Sequence, residues 1–293
     1  MTSIRSGLAI LLAGALWLTG CGALSDEGRT DWPAPSPALW HVTGPGGTEG
    51  WLFGTVHALP RGLDWRNPAL DAALDQSSVL VVEIADLNDG DAASAAFMAR
   101  ARQPGLPPLS ERVPPKDRPA LREFMDRADM DDAELAGMES WAAGLLLANG
   151  ARRHEPSQGV DRALLADAAS VVGLESFAEQ YDRFDRLTHD QQEKLLLGLA
   201  NDVDGDRSDD HIVAWLTGDL QTLEHETGIG ILADPDLRQA LLTNRNLAWM
   251  DRIESLLTEG RRPFIAVGAA HMLGRDGLPA LLEARGFTVA RLQ

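Results

Sequence analysis

Two stretches far apart in this chain repeat one pattern. In the first, the run Trp51-Leu52-Phe53 leads into Gly54-Thr55-Val56-His57, a loop, a helix containing Pro68-Ala69-Leu70, and the apolar run Val79 to Ile84. In the second, Phe264-Ile265-Ala266-Val267 leads into Gly268-Ala269-Ala270-His271, a loop, a helix containing Pro279-Ala280-Leu281, and the strand Phe287 to Leu292. Each copy reads as β-GxxH-α-β, the smallest right-handed crossover unit, and such crossovers join parallel strands. An α/β fold with parallel strands is therefore expected. On parallel sheets ligands collect beyond the carboxyl ends of the strands, where each copy places a histidine. Gly54 and Gly268 let the backbone turn sharply or approach a ligand closely, which makes them candidate cofactor-binding positions. Two such units packed together would bring His57 and His271 to one crevice.

The rest of the chain fits around this pair. Leu39 to Val42 and Gly50 to Thr55 are short apolar runs joined by Gly44-Pro45-Gly46-Gly47, a hairpin signal. Asn67-Pro68 couples an N-cap with a first-turn proline and opens a helix to about Gln76. Val79 to Ile84 suits a strand buried on both faces. Helical patterns cover residues 89–102, 115–128, 131–149, 160–169, 180–200, 209–226, 236–257 and about 277–284, with a short strand at Val171 to Leu174. Helix is in excess, and no second linker appears. Residues 39–293 are expected to form a single helix-rich domain.

The amino terminus has a different character. Arg5, an apolar run from Gly7 to Leu18, and Leu18-Thr19-Gly20-Cys21 read as a secretory signal, since the run is shorter than the ~20 apolar residues a spanning helix needs. Cys21 is the only cysteine among 293 residues, so disulfides and cysteine-based zinc sites are excluded. Residues 21–38, with Pro33, Pro35 and Pro37, read as a flexible tether. Acidic residues outnumber basic ones by 44 to 26, for a net charge of -18. Such a surface repels phosphate backbones, so nucleic acid is not an expected partner.

Carboxylates could join the paired histidines. Glu83 ends the apolar run Val81-Val82-Glu83-Ile84, where an acid is costly unless paired, hydrogen-bonded or bound to metal. Glu175 similarly follows Val171 to Leu174, as a helix N-terminal acid or a functional one. Arg245 and Asn246 lie in a long amphipathic helix whose charged face would by default meet solvent. HExxH, GxSxG and P-loop patterns are absent from the sequence. Asp202, Asp204 and Asp206 begin like a calcium loop, but Arg207 and Val213 replace its glycine and closing glutamate. The remaining histidines stand alone.

Several motifs together resemble one family. Trp51 to His57 and Phe264 to His271 resemble the two GxxH motifs of the TraB/GumN family, which includes the Tiki membrane proteases. The resemblance runs on through Glu83, Gly159-Val160-Asp161, Gly173-Leu174-Glu175-Ser176 with Gln180, Arg245-Asn246 and Gly274-Arg275-Asp276-Gly277-Leu278. Met272 departs from the leucine more usual after the second histidine. Leu18 to Cys21 is similar to the lipobox of bacterial lipoproteins. This implies cleavage before Cys21, acylation of its thiol and a cell-envelope location anchored in the membrane. Gly22 in place of Asp favours the outer membrane over the inner.

The family resemblance implies a fold related to the erythromycin esterase and ChaN-like proteins. It also implies metal-dependent proteolysis, with His57, Glu83 and His271 as the essential site and Arg245 in support. Two imidazoles and a carboxylate with open positions suit Mn, Co, Zn or Fe, and such an ion lowers the pKa of its bound water. On this reading Glu83 is a metal ligand, Glu175 a base, and Arg245 stabilises an oxyanion or a substrate carboxylate. The expected function is a lipid-anchored, metal-dependent hydrolase acting on a peptide or other small extracytoplasmic substrate. The alternative is a non-catalytic lipoprotein that binds peptide, metal or haem in the same crevice.

Overall fold

A computed structural model describes residue 29 and residues 31–151, 158–201 and 208–293. The leader, Cys21, His154-Glu155 and the acidic turn at 202–207 lie outside the described residues. Hairpin strands β1 (Leu39–Gly44) and β2 (Thr48–Thr55) come first, followed by α1 (Pro68–Gln76) and β3 (Val79–Val82). Next come α2 (Gly90–Met98), α3 (Arg118–Arg127), α4 (Ser140–Gly150), α5 (Val160–Asp167) and β4 (Val171–Gly173). Helices α6 (Phe177–Asp185), α7 (His189–Asn201), α8 (Ser208–Leu216), α9 (Leu220–Ile229), α10 (Pro235–Arg238) and α11 (Asn244–Thr258) precede β5 (Pro263–Gly268), α12 (Leu278–Ala284) and β6 (Thr288–Arg291). The expected mixed α/β fold with excess helix is what the chain adopts. Its contacts divide it into two compact units, one holding the sheet and one helical.

In the sheet unit the strand order is β4-β3-β5-β2-β1-β6. Strands β4, β3, β5 and β2 pair in parallel. β1 runs antiparallel to β2 and to β6, so β6 points the same way as β2. The hairpin turn falls on Pro45–Gly47, where Gly46 and Gly47 take φ of 75° and 79°, a region that favours glycine. Both copies of the repeat are parallel crossovers, running β2-α1-β3 and β5-α12-β6. They leave the adjacent strands β2 and β5 in opposite directions and onto opposite faces.

Residue alternation explains both covered faces. Trp51, Phe53, Leu80, Val82, Phe264 and Ala266 pack with α1, α5, α8 and α9 on one side. Leu52, Val79, Val81, Ile265 and Val267 pack with α11 and α12 on the other. Trimming one of these, such as the fully buried Phe264, to alanine costs about 3–5 kcal/mol. Packing begins earlier than the expected domain start, because Trp32 lies against the core. Asn67 donates to the Pro35 carbonyl and Gln293 to that of Pro37. Any flexible tether is therefore shorter than residues 21–38.

The helical unit contains α2, α3, α4, α6 and α7. Its core is an aromatic cluster in which Trp141 stacks on Phe184 and Tyr181, and Phe97 meets Trp141 edge-on. Burial pushes the Tyr181 phenol above its ordinary pKa. Three expected helices are interrupted. Gly137 takes φ of 70° and Met138 bridges Arg102, so the regular helix in the stretch expected from residue 131 starts at Ser140. The run 180–200 divides because Thr188 and Gln191 form reciprocal capping bonds that open a new helix. In the sheet unit, Asp219 caps α9 and divides 209–226.

Candidate functional site

Sheet register places the two GxxH motifs side by side. Thr55 pairs with Gly268 across β2 and β5, and Val82 pairs with Ala266 across β3 and β5. Glu83, one residue past β3, therefore reaches the end of β5, where its Oε1 accepts the Gly268 amide at 2.9 Å. Because the crossovers from β2 and β5 leave onto opposite faces, their carboxyl ends form a topological switch point, the place where ligands of parallel sheets collect. The two motif backbones nearly touch here. A Cβ on Gly54 would lie 2.9 Å from the Ala269 Cα.

The first histidine is oriented by a carboxylate. His57 Nδ1 stands 2.7 Å from Asp161 Oδ2, and Thr55 Oγ1 donates to Asp161 Oδ1 at 2.5 Å. Asp161 is buried in the first turn of α5, where the helix dipole favours an anion. That turn is fastened to the motif by the Val160 amide, which donates to the Val56 carbonyl. Trp215 Nε1 donates to the Gly54 carbonyl at 2.7 Å and holds the motif from α8. A carboxylate at Nδ1 fixes the proton there and leaves the basic lone pair on Nε2.

The second histidine sits in a different environment. His271 Nδ1 donates to Asn246 Oδ1 at 2.5 Å, and its Nε2 accepts from Arg245 at 3.2 Å. Those bonds define a neutral imidazole. Arg245 also donates to Glu83 Oε2, and its guanidinium lies 4.8 Å from the Trp249 ring centroid. Glu83, Arg245, Asn246 and His271 are all buried. Asn246 donates in turn to the Asp276 carbonyl at 2.7 Å. Arg238 forks onto the Asp276 carboxylate and Thr243 donates to it. A π-helical turn at Gln239–Thr243 precedes α11, as is frequent at functional sites.

The structure thus brings Glu83, Arg245, His271 and Gly268 into one cluster, with His57 and Gly54 on the neighbouring strand end. Glu175 belongs to the helical unit, where it accepts from Gln180 at 3.2 Å and lies 3.5 Å from Arg183 Nε. Arg245 and Asn246 are not on a solvated face: they continue the inward stripe of Trp249, Met250 and Ile253. That phase was the signal available for them. Asp161 stands in the Gly159-Val160-Asp161 motif, but nothing local pairs it with His57, 104 residues away.

As arranged, His57 is turned to Asp161, while Glu83 and His271 stand together on Arg245. Among the described residues no three His, Cys, Asp or Glu side chains converge. A guanidinium already joins Glu83 to His271, and a divalent ion between those donors would meet that charge at close range.

Fold and site define an α/β protein with its two motif histidines just beyond the carboxyl ends of adjacent parallel strands. The chain belongs to the TraB/PrgY/gumN family, whose model matches residues 38–291. Neither a curated protein nor a solved structure matches it.

Proposed function

We propose that the crevice between β2 and β5 is the active site of a carbonyl hydrolase acting on peptides or related small extracytoplasmic substrates. The observation that carries this reading is the His57–Asp161 pair at a strand end, 2.7 Å apart and tied to Thr55. His57 Nε2 takes a proton from water as the water oxygen bonds to the carbonyl carbon. The imidazolium, held by Asp161, then returns that proton to the leaving group as the scissile bond breaks. Arg245, fixed by Glu83 and His271, supplies a preorganised positive charge near developing negative charge on the carbonyl oxygen. Lipid anchoring through Cys21 belongs to the same proposal and rests on the lipobox-like segment. No helix among the described residues is long and apolar enough to cross a membrane.

The test is cleavage of a peptide library and an ester panel by the full chain, with and without chelator. His57→Ala should abolish turnover, and Asp161→Asn should lower it by about 10²–10⁴-fold with the fold retained. Turnover unchanged in His57→Ala would sink the hydrolase reading. Binding of peptide, metal or haem without turnover would favour the non-catalytic alternative. Divalent-metal dependence is a separate proposal for the same residues, favoured by the 3.8 Å between His271 Nε2 and Glu83 Oε1. It requires Arg245 to release both partners. Chelator-sensitive turnover restored by Mn or Co would establish it, and chelator-insensitive turnover would remove it.

A further inference from the structure

The helical unit holds an apolar cavity of about 240 Å³. Its walls include Phe97, Leu135 and three methionines, Met98, Met130 and Met138. Apolar cavities of ~150 Å³ stay dry and take up benzene-sized molecules, so this one has room for a whole apolar side chain. Methionine lining adapts to guests of different shape.

Two opposite charges also line the cavity, Arg102 and Glu134. In the same unit Arg100 pairs with Asp182 and Arg127 with Glu123. Arg102 and Glu134 do not, and each is held by a separate main-chain tie. The Arg102 backbone bridges Met138, and its side chain donates only to the Ala136 carbonyl, at a long 3.4 Å. Glu134 accepts the Asp131 amide at 3.0 Å. A cation and an anion kept apart at an apolar cavity complement a ligand with both charges and an apolar tail.

We propose that this cavity binds a free apolar α-amino acid. The side chain enters among the methionines, the carboxylate meets Arg102 and the ammonium meets Glu134. The inference is independent of the hydrolase reading.

Isothermal titration of the full chain with leucine, methionine and phenylalanine tests it. Binding should weaken about ten- to hundredfold for 4-methylpentanoate and for isopentylamine, which each lack one charge. Arg102→Gln and Glu134→Gln change exposed side chains and should cause losses of similar size. Ala93→Leu, which fills the cavity from α2, should abolish binding, with circular dichroism confirming that the variant folds. If it does not fold, the two exposed-residue variants carry the test. Binding should survive in His57→Ala, which separates this site from the crevice. No heat at millimolar amino acid, or equal binding of 4-methylpentanoate, would overturn the proposal.

Discussion

Arg245 is a fully buried charge in the sheet unit, and a double-mutant cycle with Glu83 measures what holds it there. The guanidinium is 1% exposed and bonded to Glu83 and His271, with Trp249 beneath it. Arg245→Met leaves Glu83 buried with the Gly268 amide as its remaining described donor. Removing one member of a buried pair costs about 3–5 kcal/mol. Glu83→Gln keeps an oxygen for the Gly268 amide but strands the guanidinium, at a similar cost. In the double variant neither charge remains to be desolvated, so its loss should be no larger than that of either single variant. The coupling energy should then reach about 3 kcal/mol or more. Urea unfolding followed by tryptophan fluorescence is the assay. Among the described residues, Trp32, Trp40, Trp51, Trp65, Trp215 and Trp249 report on the sheet unit, and only Trp141 on the helical one. Two units need not unfold together, so this weighting isolates the relevant transition. Losses that add to within ~0.5 kcal/mol would show that Arg245 and Glu83 are not partners.

Further outcomes follow from the same geometry. Gly54→Val should destabilise the sheet unit by about 1–3 kcal/mol, because its Cβ would press on the Ala269 backbone; thermal unfolding checks this. For Asp276, burial pushes the carboxyl up, but the bonds from Arg238 and Thr243 outweigh it and hold the pKa below the ordinary value. Its contribution is therefore complete above the unfolded carboxylate range near ~4 and fades as pH falls below it. The stability gap between the protein and Asp276→Asn, measured by urea unfolding, should be constant above about pH 5 and shrink below about pH 4. Cys21→Ser should release the protein from the membrane fraction or leave it unprocessed, since a serine hydroxyl is far less nucleophilic than a thiol; unchanged fractionation would remove the lipid-anchor proposal.

The legible parts of this fold are those written in local chemistry. Gly44 to Gly47 marked the hairpin, Asn67-Pro68 marked the start of α1, and the repeat marked both crossovers. Helix interruptions also had local marks, in Gly137, Thr188 with Gln191, and Asp219, but the apolar periodicity continuing across them outweighed those marks. In the site, His57 and His271 could be read because each stands in a motif with its strand. Glu83 stood out as an acid in an apolar run. Their partners could not be read this way. Asp161 meets His57 across 104 residues and Arg245 meets Glu83 across 162, and those pairings exist only once the sheet order is set.

Sheet order also explains why the repeat is not symmetric in chemistry. Both histidines follow a glycine at the end of adjacent parallel strands, yet each is oriented from a different layer. His57 meets α5 on one face and receives a carboxylate, whose charge favours protonation during turnover. His271 meets α11 on the other face and receives an amide, while Arg245 at its second nitrogen opposes protonation. The first copy is thereby suited to moving a proton, and the second to holding a fixed positive charge beside it. A divalent ion shared equally by both histidines would call for similar partners behind each. The partners are unequal, and for that reason the proposed hydrolase reading places the base at His57 rather than at Glu175 or His271.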